Sequence, residues 1–235
     1  MRRIAGAVPS LSSDILLYDS GNGDLLAMLD GDWITTMRTG AVASLAISTF
    51  RKGNAGRYGF VGLGNTARAT MLCLLESEPG TMHHVTLMKY KDQAENFAER
   101  FRTYPNVDFS IAEKELEIVE TCDVIVSCIT DAADLFCPDD NAYRKGCLVV
   151  PVHTRGFQNC DLFFDKVFGD DTAHIRGFKY FDRFRSFAEM SEVLAGEKPG
   201  RENEGERILS YNIGLGLHDI LFASKIYDRI GDRSP

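Results

Sequence analysis

The sequence predicts an α/β protein whose main domain is a doubly wound parallel sheet. From Arg57 to Val152, short apolar runs that suit buried strands alternate with amphipathic helical stretches. Strands joined by helices run parallel, because each helix returns the chain to the same edge of the sheet. A glycine-rich turn separates the first strand of the series from its helix, which is typical of sheets that bind dinucleotides.

Ahead of this series, a β-hairpin and a helix are predicted. Residues 15–29 hold two apolar runs around a Ser-Gly-Asn-Gly-Asp segment, which supplies the positive φ values of a hairpin turn. Residues 31–32 are expected to close the second strand. Thr35 or Thr36 can then cap a helix that continues to about Phe50, with an apolar stripe along one side.

The remaining elements are predicted from apolar runs and their periodicity. Strands are expected at residues 58–61, 85–88, 107–111, 123–129 and 147–152. The last third offers a polar loop at 196–205, a candidate strand at 208–211 and an amphipathic helix at 215–230. We expect that helix to pack against the N-terminal hairpin. The predicted division is therefore a sheet domain, residues 53–205, and a smaller discontinuous α/β domain, residues 1–52 plus 206–235.

Composition and charge exclude several classes of protein. The chain has 235 residues and a net charge of −8, so nucleic acid and anionic membrane surfaces would repel it overall. No apolar stretch is long enough to span a bilayer, and the start of the chain lacks the apolar run of a signal peptide. The six cysteines show no paired metal-ligand spacing. We therefore expect a soluble protein of the cytoplasm with reduced cysteines and no metal site.

The glycine turn has the G-x-G-x-x-A pattern of dinucleotide-binding sheets. Gly62 permits the tight turn, Gly64 lets the backbone approach a pyrophosphate, and Ala67 allows close packing of helix on strand. The backbone N–H groups of Asn65 and Thr66 open the helix and would face the phosphates. An ordinary strand-to-helix turn is the alternative, but the strands and helices on both sides favour a Rossmann-type cofactor domain.

The end of the second strand predicts which dinucleotide binds. An acidic residue there suits the ribose hydroxyls of NAD(H), whereas a basic residue suits the 2′-phosphate of NADP(H). Lys89 and Lys91 both precede the first carboxylate, Asp92. NADP(H) is therefore favoured over NAD(H), with the alternative that both lysines only decorate a solvated turn.

Four segments carry a resemblance to a known family. Residues 30–41 read DGDWITTMRTGA and lie one short helix before the glycine turn. Residues 122–130, 192–196 and 214–219 are further segments of this kind. Together they resemble the ornithine cyclodeaminase/mu-crystallin family, and the resemblance extends over nearly the whole chain, from about Ile15.

The resemblance implies a homodimer in which a Rossmann domain accompanies a smaller α/β dimerisation domain made from both chain ends. It also implies NAD(P)-dependent chemistry on an amino or imino acid, either oxidative deamination with cyclisation or reduction of a ketimine. Arg38 would hold the substrate carboxylate through its guanidinium fork, and a surface ion pair is the simpler alternative. Thr39 and Thr130, which lie in matching segments, would contact the cofactor.

Two departures from the family pattern bear on activity. Members are commonly longer, so the chain resembles an N-terminally short member that lacks some substrate contacts. Aligned on Gly156 and Asp161, His153 stands where the family has a proton-transferring aspartate, and Asn159 replaces a glutamate. Histidine can act as a general acid or base near neutral pH, but it cannot supply a carboxylate to a substrate ammonium. This replacement argues against ornithine itself.

Alternative functions stay open from the sequence. One is an NAD(P)-dependent enzyme in which Arg38 orients the substrate and His153 moves protons. Another is a non-catalytic NAD(P)(H)-binding protein of the mu-crystallin type, in which His153 is a polar loop residue. A truncated gene product that folds poorly is the third.

Two other polar clusters are expected to be structural. Asp219, early in the last helix, is expected to cap or pair rather than to catalyse. The aromatic and basic residues of 178–187 are expected to pack into the core with an exposed basic edge.

Overall fold

The computed structural model describes residues 12–130, 132, 134–153, 157 and 162–231. These residues form two compact units. One contains the described residues up to Arg38 and from Leu215 onwards, and the other contains Thr39–Gly214. None of the described helices is long and apolar enough to cross a membrane.

Every strand that the sequence predicts is present, with ends that differ by at most two residues. The elements of the described residues are, in chain order, β1 (Asp14–Tyr18), β2 (Leu25–Asp30), α1 (Gly31–Phe50), β3 (Arg57–Val61), α2 (Asn65–Ser77), β4 (His83–Met88), α3 (Gln93–Arg100), β5 (Val107–Ala112), α4 (Glu115–Thr121), β6 (Val124–Ser127), β7 (Leu148–Pro151), β8 (Lys166–Gly169), α5 (Thr172–Ile175), β9 (Phe187–Glu189), α6 (Met190–Leu194), β10 (Ile208–Tyr211) and α7 (Gly216–Gly231). The strands β8 and β9 were not predicted, because each contains only two apolar residues beside a charged one and so shows no apolar run.

The first unit joins a hairpin to the last helix. Strands β1 and β2 pair antiparallel, with Asp14 opposite Asp30. The Asp19 carboxylate stabilises the turn between them, since it accepts the backbone N–H groups of Gly21 and Asn22. Helix α7 packs against β1, which confirms the predicted contact between the last helix and the hairpin.

Helix α1 begins earlier than the sequence predicts. Oδ1 of Asp30 accepts backbone N–H groups from two residues of the first turn, at 2.9 and 3.2 Å. Asp30 therefore caps the helix, and the prediction of a cap at Thr35 or Thr36 is wrong. The helix starts at Gly31, so the residues expected to close β2 form its first turn instead.

The second unit is built on an eight-stranded parallel sheet in its described residues, with the order β5-β4-β3-β6-β7-β10-β8-β9. This arrangement confirms the predicted doubly wound α/β fold. The chain adds β4 and β5 on one side of β3, and then β6 and β7 on the other. Crevices at the carboxyl ends of strands where the order reverses are where α/β sheets bind ligands.

Apolar side chains cover both faces of this sheet. On one face Phe50 of α1 stacks on Phe168 of β8, with ring centroids 4.0 Å apart. On the other face Ile118 of α4 and Tyr211 of β10 belong to a second buried cluster. The phenylalanines of segment 178–187 pack, partly buried, against that cluster, which confirms their predicted structural role.

Candidate functional site

The turn between β3 and α2 requires glycine at Gly62 for two reasons. Its φ is 77°, in the left-handed region that other residues rarely adopt. A Cβ there would also lie 2.7 Å from the carbonyl carbon of Cys128 and 2.8 Å from the nitrogen of Ile129. The turn therefore packs directly on the backbone that leaves β6.

Gly64 leaves open space in front of α2. It is the N-cap of that helix, and a Cβ built on it meets no atom within 4 Å. The first turn of α2 contains no acidic residue, and its first backbone N–H groups, at Asn65 and Thr66, have no intrahelical acceptor. Ala67 is only 1% exposed and packs into the core. Free N–H groups and the helix dipole together favour an anion at this position.

A cavity of about 600 Å³ lies at this turn, at the carboxyl ends of β3, β4 and β6. Four of the residues predicted to bind the cofactor line it, namely Gly62, Gly64, Lys89 and Thr130. Lys91 and Thr39 are not among its lining residues. A glycine cradle, an anion-favouring helix end and a cavity of ligand size fit a dinucleotide.

The cavity is also lined by residues that the sequence pattern did not reveal. They include Tyr90, Gln93, Glu115 and Phe136. Tyr90 directly follows Lys89, so its place after the second strand of the series could have identified it. Glu115 and Phe136 come from later segments, and no local signal points to either of them.

The two predicted lysines have different surroundings. Nζ of Lys89 forms an ion pair with Glu95 in the first turn of α3. Their hydrogen bond raises the pKa of Lys89 and lowers the pKa of Glu95. Lys91 has a φ of 51°, and its Nζ lies 5.2 Å from the centroid of the Tyr90 ring. Lys89 therefore faces the cavity with a carboxylate already beside it.

Cys128 contributes an inert thiol to the wall of the cavity. Burial raises its pKa to about 12, so the thiol stays protonated at neutral pH and is no nucleophile. Thr130, two residues further on, is exposed and supplies a hydroxyl group. Among the described residues no group of His, Cys, Asp and Glu is placed to hold a metal ion.

His153 follows β7 at the carboxyl edge of the sheet. Pro151 is in register with Ser127 of β6, and the next residue, Val152, donates its N–H to the Ser127 carbonyl at 2.8 Å. The side chain of His153 keeps contact with solvent, and the atoms packed around the imidazole partly desolvate it and so lower its pKa. The neighbouring alignment positions, Gly156, Asn159 and Asp161, lie outside the described residues.

Arg38 lies in the first unit, on α1, and pairs with Asp219 on α7. Nε of Arg38 donates to Oδ1 of Asp219 at 2.9 Å, and Oγ1 of Thr35 donates to the same oxygen at 2.9 Å. The side chains of Arg38 and Asp219 are only 11% and 17% exposed, so this is not a surface ion pair. Nη1 of Arg38 is buried and finds no acceptor among the described residues. Asp219 therefore pairs, as predicted, and orients the guanidinium of Arg38 through Nε. The buried Nη1 of Arg38 remains available as a hydrogen-bond donor.

A protein-family model, that of the ornithine cyclodeaminase/mu-crystallin family, matches residues 2–234. The chain belongs to this family. Membership confirms the resemblance carried by residues 30–41 and by the three later segments.

Several known proteins are similar to this chain in sequence or structure. Ketimine reductase mu-crystallin of Mus musculus is 26% identical, over 94% of this chain and 71% of the relative. The Δ1-pyrroline-2-carboxylate reductase of Thermococcus litoralis, solved with NADH and L-proline, has a TM-score of 0.80 at 23% identity, over 96% of this chain and 73% of its own. An archaeal alanine dehydrogenase, solved as a dimer with bound NAD, has a TM-score of 0.80 at 20% identity, over 96% and 73%. These likenesses confirm the Rossmann-type fold.

Proposed function

We propose that this chain is an NAD(P)-dependent enzyme that transfers hydride between its cofactor and an amino or imino acid. The observation that carries the proposal is the buried Nη1 of Arg38, which lacks an acceptor while Asp219 holds Nε. Burying a donor without a partner costs about 1–3 kcal/mol, and a bound substrate carboxylate would supply the missing acceptor. The names of the relatives support this reading, since pyrroline-2-carboxylate, proline and alanine all carry a carboxylate.

The cavity at the glycine turn would hold the dinucleotide. The first N–H groups of α2 would bind the pyrophosphate, and the open space at Gly64 would let it approach. Lys89 and Lys91 would bind a 2′-phosphate, so we propose NADP(H) in preference to NAD(H). Thr39 and Thr130 are proposed as further contacts. The bound nicotinamide supplies the hydride donor or acceptor.

His153 would move the proton at the reacting nitrogen. Its lowered pKa keeps the imidazole neutral at neutral pH, so a ring nitrogen can accept a proton from a substrate ammonium. A neutral imidazole offers no charge to a second ammonium group. A monoamino acid or a cyclic imino acid is therefore a better candidate substrate than ornithine.

We also propose that the chain forms a homodimer. In the first unit Met28, Trp33 and Ile230 are 66%, 54% and 64% exposed, and they line an open apolar cavity of about 390 Å³. Exposed apolar surface of this kind favours association with another chain. Light scattering should give the mass of two chains, and Met28→Glu should shift it to one; a wild-type mass of one chain contradicts the proposal.

The proposed activity is tested by assaying reduction of Δ1-pyrroline-2-carboxylate and oxidation of L-proline and L-alanine, with NADPH and NADP+ and then with NADH and NAD+. We expect turnover of at least one substrate pair, lost in His153→Ala while the affinity for the cofactor stays unchanged. Tight binding of cofactor with no turnover of any of the three would leave a non-catalytic cofactor-binding protein as the function.

A further inference from the structure

The lysine in the cofactor cavity is surrounded by carboxylates. Nζ of Lys89 pairs with Glu95, and Asp92 and Glu113 lie close enough to act on its charge. Glu115 lines the same cavity. The charge that Lys89 offers to a ligand is therefore already compensated by the protein.

Glu95 pairs with Lys89 but does not itself line the cavity. It belongs to the first turn of α3, whereas Lys89 is one of the lining residues. The dipole of a helix favours a carboxylate in its first turn, so it stabilises Glu95 at this position independently of Lys89. The two side chains are 39% and 49% exposed, so the pair is weak enough for a ligand to break.

We propose that Glu95 is a specificity-determining residue of the cofactor site, because it competes with the 2′-phosphate of NADP(H) for Lys89. The inference rests on the cofactor function proposed above. A 2′-phosphate must take Nζ from Glu95 or lie beside a second anion, which repels it. The uncharged 2′-hydroxyl of NAD(H) leaves the ion pair in place. Glu95 therefore weakens the binding of NADP(H) but not that of NAD(H). The preference for NADP(H) over NAD(H) is smaller than the two lysines alone would give.

The test measures dissociation constants of NADPH and NADH by fluorescence titration for the wild type and four variants. Glu95→Gln should tighten NADPH binding by about two- to five-fold, the size of an exposed ion pair, and leave NADH binding unchanged. Glu99→Gln is the matched control, since it removes the same charge one turn further along α3, where Glu99 pairs with Arg102. Lys89→Gln should weaken NADPH binding. Adding Glu95→Gln to this variant should then leave the ratio of the NADPH and NADH dissociation constants unchanged.

The outcomes separate this inference from the function on which it rests. The proposed competition is wrong if the ratio of the NADPH and NADH dissociation constants is unchanged in Glu95→Gln, or if Glu99→Gln changes it equally. Either result leaves the proposal of cofactor binding intact. A gain from Glu95→Gln that persists without Lys89 also overturns it. If a folded wild-type protein binds neither cofactor, the proposed function fails and the inference fails with it.

Discussion

Arg38 and Asp219 lie 181 positions apart in the chain, yet Nε of the arginine donates to Oδ1 of the aspartate at 2.9 Å. Thr35 donates to the same oxygen, so three polar side chains from the two ends of the chain form one network. The network orients the guanidinium without using Nη1, which stays buried and unpaired among the described residues. Two segments that mark the family, 30–41 and 214–219, therefore meet at one carboxylate.

Replacing Arg38 by lysine tests whether this guanidinium binds a carboxylate. Arg38→Lys keeps the positive charge but cannot bond to Asp219 and a substrate carboxylate with the same fork. We expect KM for Δ1-pyrroline-2-carboxylate to rise about 10- to 100-fold, the cost of one charged hydrogen bond, with a smaller change in kcat. Δ1-pyrroline, which lacks the carboxylate, is the control in initial-rate assays. An equal loss on both substrates would assign Arg38 a purely structural role.

An acidic side chain at position 64, in the open space in front of α2, should abolish cofactor binding while the protein stays folded. The side chain in Gly64→Asp has room, because nothing lies within 4 Å of its Cβ, but it places a carboxylate where the pyrophosphate would bind. We expect the dissociation constant of NADPH to rise at least about tenfold by charge repulsion. Gly80→Asp is the matched control, since Gly80 is also open and lies outside the cavity. Undiminished binding in Gly64→Asp would place the cofactor elsewhere.

The pH dependence of amine oxidation should report on His153. Its pKa lies below the ordinary value of 6.5, so the neutral base persists to more acidic pH than in a free histidine. We expect kcat/KM to fall only as the pH drops through this lowered value. His153→Gln should remove that acid limb and slow turnover about 100-fold or more. His174→Gln, at an exposed histidine of α5, should change neither. An acid limb that survives in His153→Gln belongs to another group.

His83 should make the second unit sensitive to acid. Its side chain is fully buried beside Tyr58, and burial lowers its pKa, although Glu78 acts in the opposite direction. The unfolded chain takes up a proton at a pH near 6.5, whereas the folded chain resists it until lower pH. The contribution of neutral His83 to stability is therefore complete above the pKa of the unfolded chain, near 6.5, and is lost as the pH falls through the lower pKa of the folded chain.

Urea unfolding at about pH 7.5 and about pH 5.5 measures this effect. The free energy of unfolding should be smaller at the lower pH, and His83→Gln should reduce the difference. His84→Gln is the control, because His84 is exposed and pairs with Asp108 at the surface. The prediction is wrong if the His84 variant loses the pH dependence and the His83 variant keeps it.

The substitution Gly40→Ala tests how closely α1 packs on α2. Alanine has the higher helix propensity, which by itself would stabilise α1 by about 1 kcal/mol in Gly40→Ala. A Cβ at this position would, however, lie 2.5 Å from the carbonyl carbon and the Cβ of Ala69. We expect a net loss of about 1–3 kcal/mol in the free energy of unfolding. Gly216→Ala, in the open first turn of α7, should be neutral or stabilising, and a stabilised Gly40 variant would refute the close contact.

The sequence by itself determined the fold class, the family and the glycine turn between β3 and α2. These features are encoded over short distances: strand β3, the glycines at Gly62 and Gly64, and the start of α2 occupy consecutive positions. Apolar runs and helical periods are likewise local, so they placed most strands within two residues of their ends. Residues 30–41 marked the family because the motif is contiguous.

Only the tertiary structure decided which distant residues act together. Strand β10 lies between β7 and β8, although the sequence grouped it with the terminal segments. Asp219 contacts Arg38, and Ala69 lies against Gly40; even Glu95, only six positions from Lys89, pairs with it across the turn between β4 and α3. Each of these contacts joins residues whose proximity depends on the folded path of the chain. Local propensity carries no record of that path, so the charge of the cavity at the glycine turn and the orientation of the guanidinium follow from packing alone.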